Sequence, residues 1–190
     1  MLKKFMIVCL MLAVCSFIDS PIADAAIAKK THTVSMAHLK KSAIFAKKTQ
    51  SAEPLAGPVS SQGQAVYASI ASIAPGFIGT PYVFGGKTPA GFDCSGFIHY
   101  VHILAGLSID RKSSEDYYKE AGRVLVPEVG DLVFFKDTYK TGISHMGVYI
   151  GENQFVHAAS RGVEITSLDN TYWQKHFVGF KRFNKVTAGS

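Results

Sequence analysis

The spacing of apolar positions changes twice along the chain. Val66, Ile70, Ile73 and Ala74 share one face at helical spacing, which predicts a helix over 64–74 that Pro75-Gly76 ends. Phe97, Ile98, Val101, Leu104 and Ala105 form a second helical stripe, with Asp93 as its N-cap and Gly106 as a left-handed C-cap. A third, short helix is expected over 113–121, closed by Gly122. Beyond residue 130 the pattern changes to that of strands, the last with alternating Phe177, Gly179, Lys181 and Phe183. Strands are predicted at 131–135, 145–150, 154–159, 163–165 and 177–183, with 145–159 forming a hairpin around Gly151-Glu152-Asn153. Between the first two helices, Thr80 to Phe84 reads as extended and leads into Gly85-Gly86-Lys87-Thr88-Pro89-Ala90-Gly91. Three glycines and a proline in seven residues exclude regular structure there. Helices first and strands afterwards predict an α+β domain, its helices packed on one antiparallel β-sheet.

The N-terminal third shows no such period. Lys3-Lys4, the apolar run from Phe5 to Ile18 and Ala23-Asp24-Ala25 have the order of a secretory signal peptide over 1–25, cleaved after Ala25. A permanent anchor is not expected, because the run is short and ends in Asp19, Pro21 and Asp24. Leu12-Ala13-Val14-Cys15 is a poor lipoprotein box, since bulky Val14 precedes the cysteine, so lipid anchoring is not expected. Residues 26–62 are rich in Ala, Ser, Thr and Lys and read as a flexible basic tether, leaving 63–190 as the folded domain. Charge supports this division. The chain carries +6 overall, and six lysines in 26–62 face only Glu53. Basicity therefore belongs to the tether, which suits weak contact with anionic wall polymers or a membrane surface. Nucleic-acid binding by the domain is not expected on the same ground. No internal repeat or sign of oligomerisation appears, so a monomer is expected.

Of the three cysteines, Cys9 and Cys15 lie in the leader, so cleavage leaves Cys94 as the sole thiol, without a disulfide partner. It falls in the first turn of the second helix, where unpaired backbone N–H groups and the helix dipole favour thiolate. The glycine approach and the histidines downstream favour a nucleophile over a structural cysteine. His145 is the candidate base and His157 its orienting group. With a three-residue hairpin loop, His157 faces Gly147, on the same side of the sheet as His145 and diagonal to it. With a two-residue turn at Glu152-Asn153, the two histidines fall on opposite faces unless a bulge intervenes. Oxyanion donors would be the Cys94 backbone N–H and the Tyr82 hydroxyl. Asp93 is either a helix cap alone or also a site for a substrate amine. Zinc ligation by Cys94, His145 and His157 lacks a spaced fourth ligand, so neither metal nor cofactor is expected. The other histidines of the domain, His99, His102 and His176, have no partner legible in the sequence, and His99 falls off the apolar stripe.

These motifs together resemble the NlpC family of papain-like cysteine peptidases. The resemblance runs from about Pro81 to Phe183, through Pro81-Tyr82-Val83-Phe84-Gly85-Gly86, Gly91-Phe92-Asp93-Cys94-Ser95-Gly96-Phe97, Arg111 with Ser113, and Gly130-Asp131-Leu132-Val133-Phe134-Phe135. Further on it includes Ser144-His145-Met146-Gly147-Val148-Tyr149-Ile150-Gly151, Phe155-Val156-His157-Ala158, Tyr172-Trp173 and Gly179-Phe180-Lys181-Arg182. It implies a papain-like fold with the catalytic cysteine at the N-terminus of a central helix. It also implies a secreted or envelope thiol peptidase that cuts peptidoglycan stem peptides, often between γ-D-glutamate and diaminopimelate. It assigns Cys94, His145 and His157 to the catalytic triad, Tyr82 to the oxyanion, and Asp93, Ser95, Arg111 and Ser113 to the substrate-side wall. Asp110 and Asp116 depart from the usual proline and glutamine, which bears on bond preference. The tether without a binding module resembles the family's single-domain members. Two other functions share these residues: a poly-γ-glutamate hydrolase or acyltransferase with the same thiol chemistry, and a catalytically silent wall-binding protein.

Overall fold

A computed structural model describes residues 53–188. The expected leader, its cleavage site and the lysine-rich part of the tether lie outside the described residues. Helix α1 (Ser61–Ile73) begins earlier than its apolar stripe, because the Ser60 side chain caps it by accepting from the Gly63 N–H at 3.0 Å. Helix α2 (Cys94–Leu104) starts behind Asp93, whose carboxylate accepts from the Gly96 N–H. It ends as expected at Gly106 (φ 87°), where the Leu107 and Gly106 N–H groups bond the His102 and Ile103 carbonyls. That turn leaves Leu104 half exposed, so the buried stripe is Phe97, Ile98 and Val101, joined by His102. Helix α3 (Ser114–Glu120) is capped by Ser113. Gly122 does not close it: Ala121 already turns extended and Gly122 opens a strand.

The glycine loop is more ordered than its composition suggests. β1 (Lys87–Thr88) and β2 (Gly91–Phe92) form a two-residue-per-strand hairpin across Pro89-Ala90. The glycines there admit close approach rather than disorder. A Cβ on Gly96 would sit 1.9 Å from the Gly86 carbonyl oxygen, so only glycine lets α2 begin against this loop.

The main sheet comprises β3 (Gly122–Val124), β4 (Leu132–Lys136), β5 (Ile143–Gly151), β6 (Gln154–Ala159), β7 (Gly162–Ser167) and β8 (Phe177–Arg182). It is antiparallel in the order β3-β8-β4-β5-β6-β7. Alternation along β4 shows how it is covered. Leu132 and Phe134 join the core with α1, α2 and α3, whereas Val133 and Phe135 join a second cluster with Phe155, Leu168, Phe177 and Phe180. Trp173 of α4 (Thr171–His176) packs on that second cluster. The short α4 is absent from the sequence expectation; Asn170 caps it by accepting from the Tyr172 and Trp173 N–H groups.

The domain also begins earlier than residue 63. The Ala56 N–H bonds the Arg123 carbonyl at 2.8 Å, Leu55 bridges Arg123, and Val59 bridges Thr187. Glu53 pairs with the nearly buried Lys181 at 2.8 Å. Residues 53–60 thus line β3 and the C-terminal segment through backbone bonds, which need no side-chain periodicity and so leave no apolar pattern in the sequence. A buried network fastens the same region. Asp131 binds the Arg182 guanidinium through both oxygens (2.8 and 2.7 Å) and accepts from the Tyr67 hydroxyl at 2.7 Å.

Candidate active site

The hairpin geometry decides whether the two histidines meet. Glu152 and Asn153 both take positive φ (48° and 61°), which makes a two-residue turn of the kind that suits hairpins. Gly151 faces Gln154, yet Val148 faces Val156, because the register shifts between Tyr149 and Gly151. That bulge restores the parity a two-residue turn would otherwise break. His145 Nε2 and His157 Nδ1 lie 2.7 Å apart, with ring centroids 5.0 Å apart and nearly perpendicular. A Cβ on Gly147 would approach the His157 Cβ at 3.1 Å and the Val156 carbonyl at 2.8 Å, so glycine makes room for the pair.

An aromatic box holds the imidazoles. Trp173 stacks on His145 (4.9 Å, 27°) and meets His157 edge-on (4.8 Å, 90°), while Phe155 lies 4.5 Å from His157. On its other side His157 Nε2 lies 3.0 Å from Thr166 Oγ1 and 3.8 Å from the Glu164 carboxylate. Burial holds the imidazolium forms off: His145 is pushed down to about 3, and His157 is lowered by burial and by charge on His145.

Cys94 is at the first position of α2 and nearly buried. The backbone N–H groups of Met146, next in chain to His145, and of Ser95 favour its charged form. The thiolate expected from the helix terminus is not what this setting favours. Burial is the largest influence, the Asp93 charge adds to it, and together they raise the thiol to about 11 despite the two N–H groups and Arg111. Burial thus favours the neutral form of both the Cys94 thiol and the His145 imidazole.

The remaining sequence candidates share one cleft. Tyr82, Asp93, Cys94, Ser95, Arg111 and Ser113 line a depression of about 340 Å³. Asp93 is filled by the protein itself. It takes Arg111 on both oxygens (2.8 Å each), the Gly85 N–H (3.0 Å), the Gly96 N–H (2.6 Å) and the Ser95 hydroxyl (3.1 Å). Of its two possible roles, the cap is the one these bonds describe. The Ser113 hydroxyl donates to Asp116, which also lines the cleft. The Tyr82 hydroxyl is raised to about 12 by burial and then by negative charge at Cys94 and Asp93, so it stays a protonated donor.

A profile of the NlpC/P60 family matches residues 79–182, more than half of the chain. The chain belongs to the NlpC/P60 family. It is 51% identical over 114 residues to "Probable peptidoglycan endopeptidase LytE" of Bacillus subtilis, covering 60% of this chain and 34% of that protein. It is 43% identical over 117 residues to "Gamma-DL-glutamyl hydrolase" of the same organism (58% and 28%), and 40% identical over 112 residues to "Murein DD-endopeptidase MepH" of Escherichia coli (55% and 41%). The matches thus span less than half the length of these curated relatives. Among solved structures, an NLP/P60 family protein of Staphylococcus aureus superposes with a TM-score of 0.57 at 31% identity, covering 74% of this chain and 46% of that one. One from Bacillus cereus gives 0.55 at 30%, covering 66% and 41%. The α+β, papain-like architecture is therefore that of the NlpC/P60 fold.

Within this frame several neighbours of the family motifs escape sequence reasoning. Thr166 and Glu164 become visible only once the β6–β7 register sets Glu164 opposite His157 and Thr166 opposite Phe155. Trp173 belongs to a family motif, but its stacking needs α4. Tyr139, 61% exposed, flanks the cleft from an irregular loop that carries no periodic signal, together with Phe84 of the family motif, which is 80% exposed.

Proposed function

We propose that this chain is a cysteine peptidase of the cell envelope that hydrolyses amide bonds in peptidoglycan stem peptides. The observation that carries the reading is the direct 2.7 Å contact between His145 Nε2 on β5 and His157 Nδ1 on β6, two strands that pack against the helix Cys94 opens. The names of the relatives, two of them endopeptidases, support the substrate class. Cys94 is the nucleophile, His145 the base and His157 its orienting partner. With Nε2 engaged by His157, Nδ1 of His145 is the nitrogen left for the thiol. As the sulfur attacks the amide carbonyl, its proton passes to His145, since both groups rest neutral. The Cys94 backbone N–H and the Tyr82 hydroxyl receive the oxyanion. Protonated His145 then delivers the proton to the leaving amine, and water, deprotonated by His145, opens the thioester. Asp93, Ser95, Arg111 and Ser113 form the substrate-side wall. A leader over 1–25 and a basic tether would deliver and hold the domain at the wall as a monomer.

The bond we assign is γ-D-glutamyl–diaminopimelate. A second reading, a poly-γ-glutamate hydrolase, is favoured by the relative named gamma-DL-glutamyl hydrolase. Both place a γ-glutamyl amide on Cys94. Incubation of the purified chain with peptidoglycan and, separately, with poly-γ-glutamate, followed by mass spectrometry of the products, separates them. Stem fragments ending in γ-D-glutamate are expected. Fragments cut only at D,D cross-links, or γ-glutamyl oligomers with peptidoglycan spared, would overturn the assignment.

A further inference from the structure

On the side of His157 away from His145, β7 presents two polar groups to a buried imidazole. His157 is fully buried, Thr166 Oγ1 lies 3.0 Å from its Nε2, and a Glu164 oxygen lies 3.8 Å from the same nitrogen. Their placement follows from register. Glu164 is directly opposite His157 and Thr166 is opposite Phe155, so all four share one face of the sheet. Phe155 and Trp173 cover the ring faces and edges. The charged or titratable groups around His157 are thus His145, Glu164 and, through Glu164, the exposed Arg161 at 3.0 Å.

We propose that Thr166 is a positioning residue that fixes the tautomer of the histidine pair, with Glu164 as the charge that sets its direction. The proposal rests on Cys94 and His145 acting as nucleophile and base. For His145 to take a proton at Nδ1, its own proton must sit on Nε2 and be donated to His157 Nδ1. His157 must then carry its proton on Nε2, and in a buried site that N–H needs an acceptor. Thr166 Oγ1 is that acceptor. A hydroxyl can also donate, and a donating Thr166 would reverse both tautomers and leave an N–H of His145 aimed at the thiol. The Glu164 carboxylate removes this ambiguity, because negative charge near Nε2 favours a proton there. When His145 becomes imidazolium, the same carboxylate lies along the chain of rings that shares the charge. Neither residue touches substrate; both act through His157.

The test uses the full chain with Thr166→Val, Thr166→Ala, Thr166→Ser and Glu164→Gln. Three readouts are compared: kcat and KM on a stem peptide, the rate of Cys94 alkylation by iodoacetamide, and the 15N shifts of His157. Thr166→Val and Thr166→Ala should each lower kcat about tenfold with KM within about twofold, as loss of one hydrogen bond predicts. Alkylation should slow in parallel, and the His157 shifts should move from a pure Nε2–H form to a mixture. Thr166→Ser should restore kcat to within about threefold, and Glu164→Gln should have a smaller effect of the same kind. Wild-type kcat and an unchanged tautomer in both Thr166→Val and Thr166→Ala would overturn the proposal. If the wild-type chain cuts no stem peptide, the peptidase reading fails, while the 15N pattern still decides the role of Thr166.

Discussion

Two buried histidines in this molecule look alike until their partners are compared. His102, near the end of α2, and His157, on β6, are both fully buried, and burial lowers the basicity of both. His102 uses Nδ1 on its own helix, 2.7 Å from the Ile98 carbonyl, and packs edge-on against Phe183. Its Nε2 has no hydrogen-bond partner among the described residues. His157 has both nitrogens engaged, one by a second imidazole and the other by a hydroxyl. A depressed imidazole therefore marks only burial. A connected chain of acceptors and donors, on strands packed against the helix that Cys94 opens, marks the proposed chemistry.

The largest effects should separate these two sites by activity. His145→Ala is expected to lower kcat/KM by about 10³-fold, and His157→Asn by about 10-fold to 100-fold. His102→Leu should leave kcat/KM within about twofold, measured on the same stem peptide. Loss of activity in His102→Leu with an intact fold would erase the distinction.

The acid–base behaviour sharpens it next. With the Cys94 thiol near 11 and His145 near 3, alkylation of Cys94 by iodoacetamide should rise only in the alkaline range. The acid limb of kcat/KM should fall well below the ordinary histidine value of 6.5. A thiolate titrating near neutrality would instead establish a resting ion pair.

Stability gives the complementary signature. His102 has its folded value depressed to about 4 from 6.5, so the unfolded chain binds more protons between these values. Its neutral form is fully accommodated above about pH 6.5, and stability falls as the pH drops from there towards 4. At about pH 5 the loss is about 2 kcal/mol. Urea unfolding of His102→Leu should show a shallower acid decline than the wild type by about that amount. The smallest effects belong to the cleft lips. Tyr139→Ala and Phe84→Ala should raise KM about two- to fivefold with kcat nearly unchanged, as expected for exposed side chains that only hold substrate.

How much of this was legible in the sequence depended on which residues carried a period or a motif. Phe97, Ile98 and Val101 announce α2, and the continuous apolar run Leu132–Phe135 announces β4, because both of its faces are buried. The Cys94, His145 and His157 cluster stands on motifs, but the sequence left their meeting open. Only the bulge between Tyr149 and Gly151 lets a two-residue turn bring the rings together. The helix terminus beside the thiol is visible in sequence, whereas the depth of burial that opposes its ionisation is not. Residues 53–60 were placed in the tether because backbone pairing leaves no side-chain pattern. Thr166 and Glu164 depend on the register of β7 against β6, which their own residue types do not reveal.

The central claim is that Cys94 carries out amide hydrolysis on cell-wall peptides. Release of stem-peptide fragments from purified peptidoglycan, measured by mass spectrometry for the wild-type chain and Cys94→Ala side by side, tests it most directly. New fragments from the wild-type chain alone are predicted. Equal release by both proteins, or none by the wild-type chain, would contradict it.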